Sequence, residues 1–214
     1  MKTIFWNVDT QYDFMRTGED GGYKGKLAVL GAQAIEPQLE RLTSLAERKN
    51  LQVVNTADWH TKDSKELSAT PDFKTTFPEH CMIGSYGAEF IPATQPRDPY
   101  ILDWRDGELH PASVRRSRNI VLYKDHFDIF QGSPHAERVL ELLKPERAVV
   151  YGVATNVCVN YAVQGLLERH IEVYVPVDAI KELPNLPLDP VLAAWQQKGA
   201  KLTTVGELEK MLEE

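Results

Sequence analysis

The chain has 214 residues, a formal net charge of −7 from 24 Lys and Arg against 31 Asp and Glu, and two cysteines. Hydrophobic residues make up 43% and charged residues 26%, proportions typical of a globular protein that argue against disorder. The acidic balance argues against a nucleic-acid partner, and the longest apolar run, residues 148–154, is too short to span a membrane.

The N-terminal segment and the cysteine count indicate the compartment. Asn7 and Asp9 interrupt the first apolar stretch too early for a secretory signal peptide. Cys81 and Cys158 are too few for a disulfide framework. We therefore expect a reduced, cytoplasmic protein in which residues 1–214 form one domain with its own core.

Short β-rich runs alternate along the chain with segments of helical periodicity. Strands are predicted at residues 3–8, 52–56, 119–123, 147–153, 172–177 and 200–204. Helices are predicted at residues 32–49, 134–143, 156–169, 188–198 and 205–212. This alternation predicts right-handed βαβ crossovers, and so an α/β fold of three layers, α/β/α, with a mostly parallel sheet of about six strands.

Residues 57–118 break this alternation, since they have weak periodicity and many Pro, Asp, Thr and aromatic residues. Loops of this length in a compact domain are usually functional. In open α/β sheets, ligands bind at the carboxyl ends of the strands. Polar residues that directly follow the strands are therefore the candidates for a site.

Cys158 lies where a predicted strand gives way to a helix. In the first turn of a helix, free N–H groups and the helix dipole lower the pKa of a thiol, and the same N–H groups can bind an oxyanion. Asp9 and Lys124 end neighbouring predicted strands, where a carboxylate can take the thiol proton and an ammonium can stabilise the thiolate. A packed cysteine and a structural ion pair remain the alternatives.

Asp58 and His60 form a second constellation, because residues i and i+2 of an extended segment point to the same side. His80, from the long loop, completes a set of two imidazoles and one carboxylate. Such a set leaves coordination positions open and suits Zn²⁺, Fe²⁺ or Mn²⁺. Glu66 is a weaker candidate ligand, and a chance recurrence of Asp and His is the alternative.

The remaining histidines and the second cysteine carry weaker signals. His126 is close to Lys124 and is a candidate for lining the site, without an assigned role. Cys81 is expected to be a packed thiol that happens to follow a ligand. Surface positions are expected for His110, His135 and His170.

At these residues the chain resembles the isochorismatase-like cysteine hydrolases, and among them the nicotinamidases, from the first strand to about Asp178. Residues 8–14 (VDTQYDF) resemble the opening motif of the family, and residues 152–159 (GVATNVCV) resemble its nucleophile motif. The resemblance implies a Rossmann-like fold and three catalytic residues, Asp9, Lys124 and Cys158. It also implies a cis peptide before Ala154, whose N–H, with that of Cys158, then faces the oxyanion.

The amino-acid sequence of the loops also resembles that of nicotinamidases. Asp58-x-His60 and residues 77–81 (FPEHC) match their metal site, and residues 70–73 and 84–90 match their loops. The resemblance implies a metal that helps to hold a pyridine nitrogen, with Phe14 and Phe77 flanking the ring. It further implies a homo-oligomer.

The chain departs from the family at four places. Phe77 stands where Trp is usual, and Asn156 stands where an acidic residue is frequent. Residues 125–130 lack the sequence that follows the lysine in many nicotinamidases, and residues 97–118 form an insertion. These departures concern the substrate rather than the hydrolytic chemistry.

The sequence therefore predicts hydrolysis of a small carboxamide through a thioester, with nicotinamide as the first candidate substrate and NAD salvage as its setting. A hydrolase of another small amide or carbamoyl compound is the main alternative, and absence of a bound metal would favour it. A vinyl-ether hydrolase is disfavoured because that subgroup typically lacks the cysteine. A non-catalytic binder of the same fold is disfavoured by the intact Asp9, Lys124 and Cys158.

Overall fold

The computed structural model describes residues 1–19, 21–184 and 186–213. Its strands are β1 Thr3–Val8, β2 Gln52–Asp58, β3 Tyr100–Leu102, β4 Asn119–Lys124, β5 Arg147–Val153, β6 Glu172–Pro176, β7 Ile180–Lys181 and β8 Lys201–Thr203. Its α-helices are α1 Tyr12–Met15, α2 Glu36–Arg48, α3 Pro111–Arg116, α4 Ile129–Gly132, α5 Ala136–Leu143, α6 Cys158–Glu168, α7 Asp189–Gln197 and α8 Val205–Glu213. Within these ranges, no helix is both long and apolar enough to cross a membrane.

The strands form one sheet in the order β3-β4-β2-β1-β5-β6-β8, and β7 pairs with β5 beside this path. Every pairing between these strands is parallel. Helices α2 and α8 contact each other, while α3, α4, α5, α6 and α7 form a second connected group. The predicted α/β class with a parallel sheet and helices on both faces is confirmed.

The strand number differs from the predicted six, because β3 and β7 are only three and two residues long. Two residues are too few to show a period, and β3 lies inside the segment 57–118, whose periodicity is weak. The long segment 57–118 is also more structured than expected, since it contains β3, α3 and two short 3₁₀ turns, Tyr86–Ala88 and Pro92–Thr94.

Strands β1 and β5 lie at the centre of the sheet, and all but the first residue of each is buried. Gly152 is needed where they approach their carboxyl ends. Its φ is +117°, and a Cβ at this position would overlap the carbonyl oxygen of Val8 on β1. A side chain there would therefore push apart the two strands that end at the candidate site.

Candidate active site

Four neighbouring strands deliver polar residues to one edge of the sheet. Asp9 directly follows β1, Asp58 and Lys124 are the last residues of β2 and β4, and Cys158 begins α6 after β5. Asp58 and Lys124 lie opposite each other in the β2–β4 register. The chain leaves β1 for β2 on one side and reaches β5 on the other, so the site lies at the reversal of strand order, where α/β sheets bind ligands.

Asp9, Lys124 and Cys158, here called the thiol cluster, are buried together. The Lys124 Nζ atom lies 3.0 Å from Asp9 Oδ2 and 3.8 Å from Cys158 Sγ. It also donates a hydrogen bond to Asp58 Oδ1. The structure thus brings the three predicted catalytic residues into contact around one ammonium group.

The Asp9 side chain is held in one orientation by strand β2. Its backbone has a φ of +49°, a left-handed conformation that Asp tolerates better than most residues. The Asp9 N–H donates to Thr56 O at 3.1 Å, and Thr56 Oγ1 donates to Asp9 Oδ1 at 2.6 Å. With Oδ1 occupied by Thr56, Oδ2 is left to face Lys124.

Burial controls the protonation of this cluster. Burial raises the pKa of the Cys158 thiol well above its usual range, and the positive charge of Lys124 only partly opposes this. The expectation of a lowered pKa at the start of the helix is therefore wrong, because removing a thiolate from water outweighs the neighbouring ammonium. The sulfur rests as a thiol that needs a base.

The two carboxyl groups beside Lys124, those of Asp9 and Asp58, have pKa values shifted in opposite directions. Burial raises the pKa of Asp9, and the opposing effect of Lys124 does not cancel it. Burial also acts on Asp58, but Lys124, His60 and His80 outweigh it and hold the pKa of Asp58 well below its usual range. Asp58 is thus the charged partner of Lys124, while Asp9 is the better proton acceptor.

The peptide between Val153 and Ala154 is cis, as the resemblance implies. The carbonyl of Ala154 accepts hydrogen bonds from the N–H groups of Val157 and Val159, at 3.0 and 3.2 Å. Cys158 is the first residue of α6, so its own N–H has no partner within the helix. Ala154 and Cys158 line the same pocket.

This pocket encloses about 310 Å³ of space between its lining atoms, counting the part open to solvent. Phe14 and Phe77, which the resemblance implies as the flanks of a bound ring, line it, and so does a third ring, Phe127, which the sequence did not predict. The only signal for Phe127 was its place three residues after Lys124. The rest of its lining is formed by Leu27, Val29, Asp58, Glu66, His80, Ala154, Val157, Cys158 and Leu183. His126 lies instead on a neighbouring groove, which shares Glu66 with this pocket.

Asp58, His60, Glu66 and His80, here called the ligand cluster, are all buried, with potential ligand atoms within 4.8 Å of one another. His60 Nε2 lies 3.3 Å from Glu66 Oε1 and 3.8 Å from Asp58 Oδ2. His80 Nε2 lies 3.4 Å from Asp58 Oδ2. The weak candidate Glu66 therefore joins the three predicted ligands.

These four residues fit a divalent metal ion. The buried His60 Nε2 makes no hydrogen bond within the described part of the chain. His80 Nδ1 is bonded to Pro78 O at 2.7 Å, which leaves its Nε2 facing the carboxylates. Burial lowers the pKa of His60, but Asp125, Asp58 and Glu66 raise it to about 11, so the cluster attracts positive charge. Two imidazoles and two carboxylates are suitable ligands for zinc, iron or manganese.

Two further residues of the 8–14 motif, Gln11 and Asp13, bond the backbone of residues in or next to the ligand cluster. The sequence alone assigns them no role. Gln11 Nε2 donates to Asp58 O, and Gln11 Oε1 accepts from Asp58 N, both at 2.8 Å. Asp13 Oδ2 accepts the N–H of Cys81 at 2.7 Å. Cys81 itself is a buried free thiol, as expected. The signal for both was the motif, which places polar residues at alternate positions after Asp9.

The insertion contacts the site through Trp104, whose Nε1 donates a hydrogen bond to Trp59 O at 2.8 Å. Trp59 lies between Asp58 and His60 in the sequence. His135 was expected at the surface, but it is buried. Its Nε2 lies 3.1 and 2.6 Å from the carbonyl oxygens of Asp103 and Asp106. A buried histidine thus anchors the insertion, which explains why the surface expectation was wrong.

Comparison with known proteins agrees with this geometry. The family model described as Isochorismatase domain matches residues 3–207. A nicotinamidase/pyrazinamidase of Mycobacterium tuberculosis is 36% identical over 87 residues, which are 40% of this chain and 42% of that relative. The chain therefore spans less than half of that relative's length.

Solved structures show the same fold. A pyrazinamidase of Pyrococcus horikoshii in complex with zinc has a TM-score of 0.73 at 22% identity, with 95% of this chain and 99% of that chain covered. An N-carbamoylsarcosine amidase of Thermoplasma acidophilum has a TM-score of 0.69 at 21% identity, covering 96% and 97%. With a family model over nearly its whole length and this fold around the thiol cluster, the chain belongs to the isochorismatase family of hydrolases.

Proposed function

We propose that the protein hydrolyses a small carboxamide through a thioester at Cys158, with nicotinamide as the first candidate substrate. One observation carries the proposal: Lys124 Nζ lies 3.8 Å from the Cys158 sulfur and 3.0 Å from Asp9 Oδ2, beside a pocket walled by aromatic rings. This arrangement supports the proposal, because a nucleophile, a proton acceptor and a cation would all lie within reach of one bound carbonyl group.

In the first half of the reaction, Asp9 takes the Cys158 proton as the sulfur bonds to the carboxamide carbon. Lys124 balances the negative charge that develops on the sulfur. The N–H groups of Ala154 and Cys158 donate to the oxyanion of the tetrahedral intermediate. Asp9 then gives the proton to the leaving nitrogen, the C–N bond breaks and ammonia departs.

In the second half, Asp9 takes a proton from a water molecule, whose oxygen attacks the thioester carbon. The same N–H groups stabilise the second oxyanion. The C–S bond breaks, the sulfur regains a proton from Asp9, and the carboxylic acid leaves and gives its proton to solvent water. The raised pKa of Asp9 suits both roles, because burial makes the carboxylate a stronger base than it is in water.

The ligand cluster would hold a divalent cation, for which zinc is our first choice because its donors are imidazole and carboxylate. When bound, the cation supplies a Lewis acid for a ring nitrogen or its bound water. Phe14 and Phe77 line the pocket beside His80 and would flank a flat ring. A metal site beside an aromatic pocket favours a heteroaromatic amide over a carbamoyl compound.

The test is ammonia release from nicotinamide, pyrazinamide and N-carbamoylsarcosine by the wild type and by Cys158→Ala, with zinc, iron and manganese measured in the same samples. We expect release from nicotinamide, none from the Cys158→Ala variant, and stoichiometric metal in both. Release that survives in Cys158→Ala would refute the thioester mechanism. Release from N-carbamoylsarcosine alone would refute only the substrate, and release from no amide would favour a binding protein.

A further inference from the structure

The residue after Lys124 contacts the ligand cluster from outside the pocket. Lys124 donates to Asp58 Oδ1, and the next residue, Asp125, places Oδ1 2.9 Å from His60 Nδ1. Strands β2 and β4 are parallel neighbours with Asp58 opposite Lys124. Two consecutive residues at the end of β4 therefore hold the two ligands that β2 and its next turn provide.

Asp125 is itself held on several sides. Ser64 Oγ donates to the same Oδ1 atom that faces His60. Ser64 is buried, and its Oγ also accepts the N–H of Thr61 at 2.9 Å. The backbone N–H of Asp125 donates to Gly132 O at 3.1 Å. The carboxylate thus has a defined position, although its side chain is 23% exposed.

The contact with Asp125 determines which nitrogen of His60 faces the cluster. An imidazole nitrogen beside a carboxylate carries the proton, so Nδ1 is the donor. Nε2 points toward Glu66 Oε1 and Asp58 Oδ2, so it is the nitrogen that would exchange its proton for a bound cation. This is the direction that a metal ligand needs.

We propose that Asp125, supported by Ser64, is a positioning residue for metal binding: its carboxylate fixes the His60 ring with Nε2 directed into the ligand cluster. Outer partners of this kind typically change metal affinity 10- to 100-fold. His80 offers a contrast, since its Nδ1 is bonded to the backbone carbonyl of Pro78, which no side-chain substitution removes. The inference rests on the metal site of the proposed function and not on the identity of the amide.

The experiment is a Co²⁺ titration of the metal-stripped protein against a chromophoric chelator, together with the visible spectrum of the Co²⁺ form. Asp125→Ala, Asp125→Asn and Ser64→Ala are compared with Asp128→Asn. Asp128 is the matched control, because it lies in the same loop and its carboxylate accepts hydrogen bonds from Phe130 N–H and Gln131 Nε2, on the helical turn that it begins.

We expect Asp125→Ala to weaken Co²⁺ binding about 10- to 100-fold and to shift the visible bands. Asp125→Asn keeps an acceptor and loses the charge, so its effect is smaller, and that of Ser64→Ala is smaller still. Asp128→Asn keeps the wild-type affinity and spectrum. Thermal unfolding of the metal-free variants separates a loss of folding from a loss of metal affinity.

Wild-type affinity and an unchanged spectrum in folded Asp125→Ala would overturn the proposal. If that variant does not fold, the same result in Asp125→Asn overturns it. A wild type that binds no Co²⁺ would overturn both this inference and the proposed metal site. Weakened binding in the Asp125 variants would support the inference even if no amide in the panel were hydrolysed.

Discussion

The thiol cluster and the ligand cluster share one edge of the sheet, but the chain builds them differently. Asp9, Lys124 and Cys158 come directly from the ends of strands or the start of the following helix. Glu66 and His80 come from the long segment between β2 and β3. The backbone of the first cluster is therefore held by the sheet, whereas half of the second depends on side-chain and turn contacts.

Asp58 joins the two clusters, because its Oδ1 accepts from Lys124 while its Oδ2 lies 3.4 Å from His80 Nε2. A change of charge in one cluster is therefore expected to change the electrostatic environment of the other. A substitution in the thiol cluster is therefore expected to leave metal binding intact only if the replaced residue does not contact Asp58. The following substitutions separate or couple the clusters, from the largest expected effect to the smallest.

Asp9→Asn tests the separation most directly. The substitution removes the proton acceptor but keeps the shape and the acceptor for Thr56 Oγ1. We expect kcat for ammonia release to fall about 10²- to 10⁴-fold, the usual contribution of a general base. Metal content should stay at the wild-type level. A variant with near-normal kcat would contradict the role of Asp9.

Lys124→Met couples both clusters, because Asp9 and Asp58 then lose their shared cation in a buried site. Leaving buried charges unpaired costs about 3–5 kcal/mol. We expect a loss of this size in the free energy of unfolding by urea, together with loss of activity. The control is Lys26→Met, which breaks an exposed pair with Glu79 and should cost less than about 1 kcal/mol.

Glu66→Gln tests the loop-supplied half of the ligand cluster. Glu66 Oε2 accepts the N–H of Phe127 at 2.7 Å, a bond that Gln can keep, while Oε1 faces the histidines. We expect Co²⁺ affinity to fall at least about 10-fold and KM to rise more than kcat falls. Glu79→Gln, at an exposed carboxylate next to His80 in the chain, should bind Co²⁺ like the wild type.

Trp104→Phe tests the support that the insertion gives to the ligand cluster. It removes the donor to Trp59 O and keeps most of the ring. We expect a loss of about 0.5–1.5 kcal/mol in the free energy of unfolding, the net value of one hydrogen bond. Arg105→Gln, the next residue, disturbs only an exposed pair with Asp103 and should change stability by no more than about 0.5 kcal/mol.

The parts of the site that the sequence revealed are those attached to strong strands. Asp9, Lys124 and Cys158 follow runs whose hydrophobic pattern is unambiguous, so the sequence alone predicts that they share one edge of the sheet. Asp58 and His60 were paired by the alternation of an extended segment. Their catalytic and metal-binding roles stay predictions until the variants above are measured.

The parts that the sequence did not reveal are long-range contacts. Glu66 and Phe127 are 61 residues apart, yet the backbone N–H of Phe127 donates a hydrogen bond to the Glu66 carboxylate beside the pocket. The direction of the Cys158 pKa was misjudged because the start of a helix is visible in the sequence and the depth of burial is not. His135 was misplaced for the same reason, since its partners lie in the insertion.

The sequence by itself determined the α/β class, the parallel sheet, the family resemblance and the strand-end residues, because local hydrophobic periodicity and short motifs encode them. Only the tertiary structure decided that Glu66 joins the ligand cluster and that Asp125 faces His60. It also decided that the Lys124 ammonium contacts the carboxylates of both Asp9 and Asp58. These outcomes depend on the packing of chain segments distant in sequence, which changes both distances and the free energy of each charge.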